Sequence, residues 1–159
     1  MFSFTKSATA EKVITAVQQK YKLTPIEDLD DTIQRQIICL ALNLYHEARG
    51  TSDASVMAVG FATRNRVVAS NDKNYCSVIW QKGQYVWTKR PIRGQLPKDV
   101  VTWSKLVEIA THIVTSGDLE DTTSGADSFY STHIRKPRWA FHSPTYMRIG
   151  SLVFVKQLR

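Results

Sequence analysis

Apolar residues recur at helical spacing in four stretches of the chain. Residues 9–21 and 31–50 place them at i, i+3 and i+4, as on one face of an α-helix. Residues 53–67 and 99–117 follow the same period. Gly50, directly after the second apolar run, is typical of a helix end. The pattern therefore predicts four amphipathic helices.

The other segments lack this period. Thr24-Pro25 predicts a short helical turn, and the Gly- and Pro-containing residues 75–97 are predicted to be mostly loop. Residues 128–132 and 152–155 are rich in aromatic and β-branched side chains, which favours strands. Helices followed by a short sheet indicate the α+β class.

Composition supports one globular domain. The chain has 159 residues, of which 43% are hydrophobic and 22% charged, so it can bury a core. Its two cysteines are too few for a disulfide framework. Cys39 stands among Ile37, Ile38 and Leu40, which predicts a buried free thiol; a bridge to Cys76 is the alternative.

The net charge of +7 is concentrated in two acid-free segments. The first contains Lys82, Lys89, Arg90, Arg93 and Lys98. The second contains Arg135, Lys136, Arg138 and Arg148. Solvated loops explain either segment alone, but two in one small domain indicate an anionic polymer as partner. Nucleic acid and bacterial cell wall both satisfy that description.

No apolar run approaches the roughly 20 residues that span a bilayer, so stable membrane insertion is not expected. Residues 1–10 lack the apolar core of a secretory signal. We therefore expect synthesis in a cytoplasm.

Glu47 is the first candidate for chemistry. It falls three residues before the predicted helix end, with Leu44 and Leu40 on its own face. That position predicts partial burial, which raises the pKa of a carboxyl group. Cleavage of a glycosidic bond needs such a protonated acid. The structural alternative is a solvated Glu or an ion pair with Arg49.

The surrounding residues carry a family resemblance. Asn43-Leu44-Tyr45-His46-Glu47-Ala48-Arg49-Gly50, followed by Ala58 to Val67 with its closing Asn65-Arg66-Val67, resembles the cell-wall hydrolase family that includes the spore cortex-lytic enzymes. Residues 76–88, 121–130 and 148–154 resemble further blocks of that family. Thr51 and Ser151-Leu152 depart from its usual residues. The resemblance covers roughly residues 33–157.

This resemblance implies a lysozyme- or transglycosylase-like, two-lobed single domain. Residues 31–159 would form the catalytic, wall-degrading domain, and residues 1–30 a helical N-terminal extension. It implies cleavage between N-acetylmuramic acid and N-acetylglucosamine by a lytic transglycosylase with Glu47 as single acid/base. The small size fits a monomeric phage endolysin that acts on the wall after release.

A glycan groove also needs aromatic surfaces and hydrogen-bonding side chains. Trp87 and Trp139, each beside basic residues, are the best candidates for sugar stacking, and Arg49 could orient Glu47. The predicted substrate-binding residues are Tyr45, Arg49, Gln84, Tyr85, Trp87, Asp121, Thr123, Tyr130 and Trp139. Asp121 would be the second acid of a hydrolytic variant, although a structural role in its loop is favoured.

Other chemistries find less support. The four histidines have no metal-binding spacing, and no Gly-rich phosphate loop occurs, so neither metal nor cofactor is predicted. The alternatives are a hydrolytic muramidase or glucosaminidase, a basic nucleic-acid-binding protein and a non-catalytic wall-binding module. The chain shows no recognised nucleic-acid-reading motif.

Overall fold

The computed structural model describes residues 7–157, except for the side chains of Thr145 and Tyr146. Within that range the chain forms six α-helices and a three-stranded sheet. The helices are α1 Ala8–Lys20, α2 Asp31–Ala48, α3 Asp53–Ala69, α4 Tyr75–Ile79, α5 Ile92–Gln95 and α6 Val100–Thr115. The strands are β1 Ser128–Ser131, β2 Thr145–Ile149 and β3 Leu152–Val155. The mainly helical α+β class is confirmed.

Side-chain caps define the starts of the long helices. Ser7 accepts from the Ala10 N–H, Asp30 from Thr32, Ser52 from Ser55 and Asp99 from Thr102. Each cap satisfies a backbone N–H that has no partner within its helix. The four helices predicted from periodicity agree with α1, α2, α3 and α6 to within about two residues.

Helix α2 is the centre of the molecule. Every residue from Ile37 to Tyr45 is buried, because α1, α3, α4 and α6 all pack against this helix. The apolar face of α1 lies in the same core, with Val13, Ile14 and Val17 fully buried. Thus α2 holds Glu47, near its C-terminal end, in a rigid surrounding.

A disulfide joins α2 to α4 and corrects the prediction of a free thiol. Cys39 and Cys76 are bonded, with their Cα atoms 5.2 Å apart. The side-chain oxygen of Gln36 accepts from the Tyr75 N–H at 2.7 Å and strengthens the same junction. The local apolar sequence predicted burial correctly, but pairing depends on a contact between distant segments.

Residues 75–97 contain more regular structure than predicted. Besides α4 and α5, residues Val86–Lys89 form a 3-10 helix. Two other 3-10 turns are Thr24–Ile26 and Arg138–Ala140. Such short helices depend on local caps; the Asn74 side chain, for example, accepts from the Ser77 N–H at the start of α4. They are too short to show an apolar period in the sequence.

The antiparallel sheet has the order β1-β3-β2. Strands β1 and β3 lie where predicted, whereas β2 was missed. The fully buried Phe154 of β3 faces Phe129 of β1 in the register. Strands β1 and β2 contact α3, so the sheet lies against the helix that follows Glu47 in the chain. None of the helices in residues 7–157 is long and apolar enough to cross a membrane.

Candidate active site

Glu47 lies in the last turn of α2 and is half-buried. Gly50 follows with a φ of +85°, a conformation that glycine adopts readily and that ends the helix as predicted. Burial is the main cause of a raised pKa for Glu47, and the charges of Arg90 and Arg66 offset part of the increase. The negative end of the α2 dipole also disfavours a carboxylate there. The predicted direction of the pKa shift is confirmed.

An open cavity of about 200 Å³ surrounds the Glu47 side chain. Its lining joins the end of α2 to α3, to the loop before the Val86–Lys89 turn, and to the sheet. The lining residues are Glu47, Arg66, Gly83, Gln84, Tyr85, Ser128, Phe129, Trp139 and Gln157. Glu47 therefore lies in a groove together with Gln84, Tyr85 and Trp139 of the predicted binding residues.

Arg66 connects the walls of this cavity. Its guanidinium donates to the Asp127 carbonyl at 3.1 and 2.7 Å and to the Ser128 hydroxyl at 3.1 Å. It also donates to the Gln84 side-chain oxygen and lies 5.4 Å from the centre of the Tyr85 ring. One planar side chain thus fixes α3, β1 and the Gln84 loop relative to Glu47.

Gly83 and Gln95 shape the loop that carries Gln84. Gly83 has a φ of +84°, which allows the chain to turn before Gln84. The buried Gln95 amide donates to the Thr88 and Arg90 carbonyls at 3.1 and 2.7 Å. Its backbone carbonyl lies 2.8 Å from His46 Nε2. The loop is therefore attached to the residue that precedes Glu47.

His46 is part of this attachment. Burial is the main cause of its lowered pKa; the hydrogen bond to Gln95 acts in the opposite direction, and Arg90 and Arg49 lower the pKa further. A neutral imidazole suits its stacked position against Trp87, with ring centres 4.4 Å apart. His46 thus holds the loop without adding positive charge beside Glu47.

The prediction that Trp87 offers a sugar-stacking face is corrected by its position. Its ring is only 2% exposed, and its Nε1 donates to the Asn43 side chain at 2.9 Å. Tyr45 is also 2% exposed; its hydroxyl accepts from the Lys98 and Asp99 N–H groups, each at 3.0 Å. Both aromatic residues are buried, and neither lines the Glu47 cavity.

Arg49 does not line the Glu47 cavity. Its guanidinium lies over the Tyr45 ring, 4.3 Å from the centre, and donates to the Tyr45 hydroxyl. It lines a separate cavity between the end of α2 and α6. The structure therefore gives Arg49 no direct contact with the groove that holds Glu47.

Asp121 and Thr123 form a structural loop instead of a second acid site. The Asp121 carboxylate accepts from the Thr123 N–H at 2.8 Å, the Thr123 hydroxyl at 2.6 Å and the Gly125 N–H at 2.9 Å. The Asn65 amide donates to it at 2.7 Å. Burial acts to raise the pKa of Asp121, but these hydrogen bonds outweigh it and lower the pKa. Thr123 is fully buried, and neither residue lines the Glu47 cavity.

Trp139 is the exposed aromatic residue of the site. It is 39% exposed and lines the Glu47 cavity. Tyr130 contacts it edge to face, with ring centres 6.2 Å apart. Tyr130 itself does not line that cavity, so it supports the Trp139 ring from behind.

Sequence reasoning missed several residues of the cavity, notably Arg66, Ser128 and Gln157. Arg66 stood inside the Asn65-Arg66-Val67 block that carried the resemblance, which was the available signal. Ser128 begins the outer strand β1, Gln157 lies two residues after the central strand β3, and no local pattern marks either as a site residue. In residues 7–157 no three His, Cys, Asp or Glu side chains group as a metal site requires.

The sequence model of the cell wall hydrolase family matches residues 50–155, well over half of the chain. The protein belongs to this family, and the family implies an enzyme that acts on peptidoglycan. The matched region begins at Gly50, three residues after Glu47, and includes Arg66, Gln84 and Trp139. Searches of the curated proteins and of the solved structures found no match.

Proposed function

We propose that the protein cleaves the bond between N-acetylmuramic acid and N-acetylglucosamine as a lytic transglycosylase, with Glu47 as acid and base. One observation carries this proposal. Glu47, with its raised pKa, is the one carboxyl group among the described residues that line its cavity. A single protonated carboxyl is what this reaction requires.

The reaction uses Glu47 twice. The protonated carboxyl first donates its proton to the glycosidic oxygen as the bond from that oxygen to the muramyl C1 breaks. The resulting carboxylate then accepts the proton of the muramyl 6-hydroxyl, whose oxygen bonds to C1. The products are a free 4-hydroxyl on one sugar and a 1,6-anhydro ring on the other, and Glu47 is protonated again. The substrate acetamido group would stabilise the positive charge at C1.

The neighbours of Glu47 suit the binding of a sugar. Gln84 presents a hydrogen-bonding side chain in the same cavity, and Trp139 presents a partly exposed ring. Arg66 binds Gln84 and Ser128 directly, so it sets their positions. We therefore assign substrate contacts to Gln84 and Trp139 and a positioning role to Arg66, while the buried Tyr85 forms part of the cavity wall.

A hydrolytic mechanism has less support. Ordinary glycosidases use two carboxyl groups about 5–10 Å apart on either side of the bond. Asp121 is occupied by four hydrogen bonds. Asp127 lines the next cavity but is only 9% exposed, and its carboxylate accepts from the Ser128 hydroxyl and the Gln157 N–H. Neither carboxylate is placed as a partner of Glu47 in the reaction.

The positive charge fits the wall as substrate. Arg90, from the first basic segment, is exposed and close enough to influence the pKa of Glu47. Peptidoglycan carries carboxylates on its stem peptides, so a basic groove rim favours its approach. Membership of the family thus offers an explanation for the charge that needs no nucleic acid.

We also propose that the protein works outside the reducing cytoplasm, as an endolysin would after its release to the wall. The Cys39–Cys76 disulfide supports this site of action, because such bonds persist in oxidising compartments. The phage origin and the two-lobed, lysozyme-like arrangement remain predictions.

The test is Glu47→Gln, which keeps the size of the side chain and removes the acid. We expect the rate of peptidoglycan solubilisation to fall by roughly a thousandfold, within the range of general acid–base catalysis. The matched control is Glu108→Gln, the same change at an exposed position of α6, which should retain full activity. Undiminished activity of purified Glu47→Gln protein would overturn the assignment.

A further inference from the structure

Two more cavities continue from the Glu47 cavity along the end of α3 and along α4. A cavity of about 300 Å³ shares Arg66 and Gln84 with the Glu47 cavity. A third, of about 340 Å³, shares Ser70, Asn71, Val78 and Gln81 with the second. Because the second cavity shares wall residues with each of the other two, the three cavities lie in a row, and we call this row the groove. We call the Glu47 cavity its inner end and the third cavity its outer end.

The outer end is lined mostly by side chains that can form hydrogen bonds. Its lining residues are Ser7, Ser70, Asn71, Asp72, Ser77, Val78, Trp80 and Gln81. Across residues 7–157, the side-chain amides of Asn71 and Gln81 form no hydrogen bond, and both residues are exposed. Each amide can donate and accept, as the hydroxyl and acetamido groups of a sugar require.

An aromatic ring stands at each end of the groove. Trp139 lines the inner end and Trp80 lines the outer end. Trp80 is half-buried and fixed, because its Nε1 donates to the Gln95 side chain at 3.2 Å and its ring contacts Trp87 edge to face. A fixed ring beside free amides is a usual arrangement for binding a sugar ring.

The size of this groove and its connection to the Glu47 cavity make it a better candidate for substrate binding than another polar cavity of the molecule. A cavity of about 370 Å³ between α1 and the start of α2 is also polar, but it shares no lining residue with the Glu47 cavity. Pockets for compact ligands measure about 300–1,000 Å³, and the inner end alone is smaller than that. Three connected cavities in a row suit an extended polymer better than a compact ligand.

We propose that one glycan strand occupies this groove along its length, and that Asn71, Gln81 and Trp80 form a distal subsite for sugars remote from the cleaved bond. The proposal rests on the proposed function of Glu47. The distal subsite contributes binding that only a long strand can use. The enzyme therefore prefers long glycan strands over short ones.

The experiment compares the full-length wild-type protein with Asn71→Ala, Gln81→Ala and the double variant. The substrates are peptide-free glycan strands prepared from peptidoglycan by an amidase and separated into short and long fractions. We expect each single variant to lower kcat/KM on long strands by roughly threefold to tenfold, the value of one hydrogen bond. On strands too short to reach the outer end, kcat/KM should stay unchanged.

Gln19→Ala is the matched control, since Gln19 is exposed and lines the unconnected cavity between α1 and α2. It should behave as wild type on both fractions. Equal rates for the double variant and wild type on long strands would overturn the distal subsite, as would equal losses on both fractions. A wild-type protein that cleaves neither fraction would refute the proposed function itself, and the subsite with it.

Discussion

The two ends of the groove are built in opposite ways. At the inner end, Arg66 donates hydrogen bonds to both Gln84 and Ser128, and the His46 ring next to Glu47 is held by the Gln95 carbonyl. At the outer end, Asn71 and Gln81 are exposed, and their amides have no hydrogen bond to any described residue. One end is fixed before substrate arrives, and the other can adapt to it.

This difference separates two demands on an enzyme that cuts a polymer. Proton transfer requires the acid to stand within hydrogen-bond reach of the scissile oxygen, so its surroundings must be rigid. Binding of distant sugars tolerates small movements and gains from side chains that are free to hydrogen-bond. Substitutions at the inner end should therefore affect the cleavage of short and long strands alike, whereas substitutions at the outer end should affect the cleavage of long strands only.

Arg66→Ala should have the largest effect of the remaining substitutions. It removes hydrogen bonds to the Asp127 carbonyl, Ser128 and Gln84 together. We expect kcat/KM to fall at least about tenfold, and the free energy of unfolding to fall by about 1–3 kcal/mol because buried acceptors lose their partner. Steady-state kinetics and urea unfolding measure the two effects.

Arg64→Ala is the control for Arg66→Ala, since Arg64 lies on the same helix, packs over the Phe61 ring at 4.8 Å from its centre and does not line the Glu47 cavity. Its kinetics should match wild type. If Arg66→Ala remained as active as Arg64→Ala, the hydrogen bonds of Arg66 would not be needed for activity at the inner end.

Removal of the disulfide tests the junction between the two ends. Cys39 belongs to the helix of Glu47, and Cys76 belongs to the helix that lines the outer end. In the double variant Cys39→Ala/Cys76→Ala, the free energy of unfolding should be lower than in wild type by about 2–4 kcal/mol. Short strands should still be cleaved. An unchanged melting temperature of the wild-type protein under reducing conditions would contradict this prediction.

Trp139→Ala should have a moderate effect at the inner end. Loss of a sugar-stacking ring should raise KM by roughly threefold to tenfold, and Trp139→Phe should restore most of the binding. Phe141→Ala serves as control, since Phe141 is also exposed but lies outside the Glu47 cavity. Equal KM values for Trp139→Ala and Phe141→Ala would remove Trp139 from the substrate site.

Arg90→Gln should change the pH dependence more than the maximum rate. Burial raises the pKa of Glu47, and the charge of Arg90 opposes that increase. Without this charge, the folded-state pKa rises further, so Glu47 stays protonated to higher pH. The alkaline limb of kcat against pH should therefore move to higher pH, whereas Arg90→Lys should leave it in place. A shift to lower pH would contradict the electrostatic explanation.

The sequence predicted the long helices well, because their apolar period and caps are local signals. Helix α2 is an example: its apolar stripe, its end at Gly50 and the position of Glu47 all follow from neighbouring residues. Strand β2 was missed because its sequence, Thr145 to Ile149, lacks the continuous apolar run of β3 and because its pairing with β3 is decided by the sheet. The short helices α4 and α5 carry too few residues for a period.

The parts of the site that depend on neighbouring residues could be predicted, and the parts that depend on tertiary contacts could not. The burial that raises the pKa of Glu47 could be inferred from Leu40 and Leu44. The different exposure of Trp87 and Trp139 could not be inferred from the sequence, because both stand beside basic residues. The hydrogen bond from Trp87 to Asn43, which is distant in the chain, belongs to the tertiary structure and accompanies the burial of Trp87. The pairing of Cys39 with Cys76 depends likewise on tertiary contacts.

The mass of the released fragments tests the central claim most directly, namely that one carboxyl group cleaves the glycan without a water molecule. Peptidoglycan is digested with the wild-type protein in heavy-oxygen water, and the muropeptides are analysed by mass spectrometry. Transglycosylation by Glu47 predicts 1,6-anhydromuramyl ends, lighter than hydrolysis products by one water and free of heavy oxygen. Reducing ends that carry heavy oxygen would show hydrolysis and contradict the single-carboxyl mechanism.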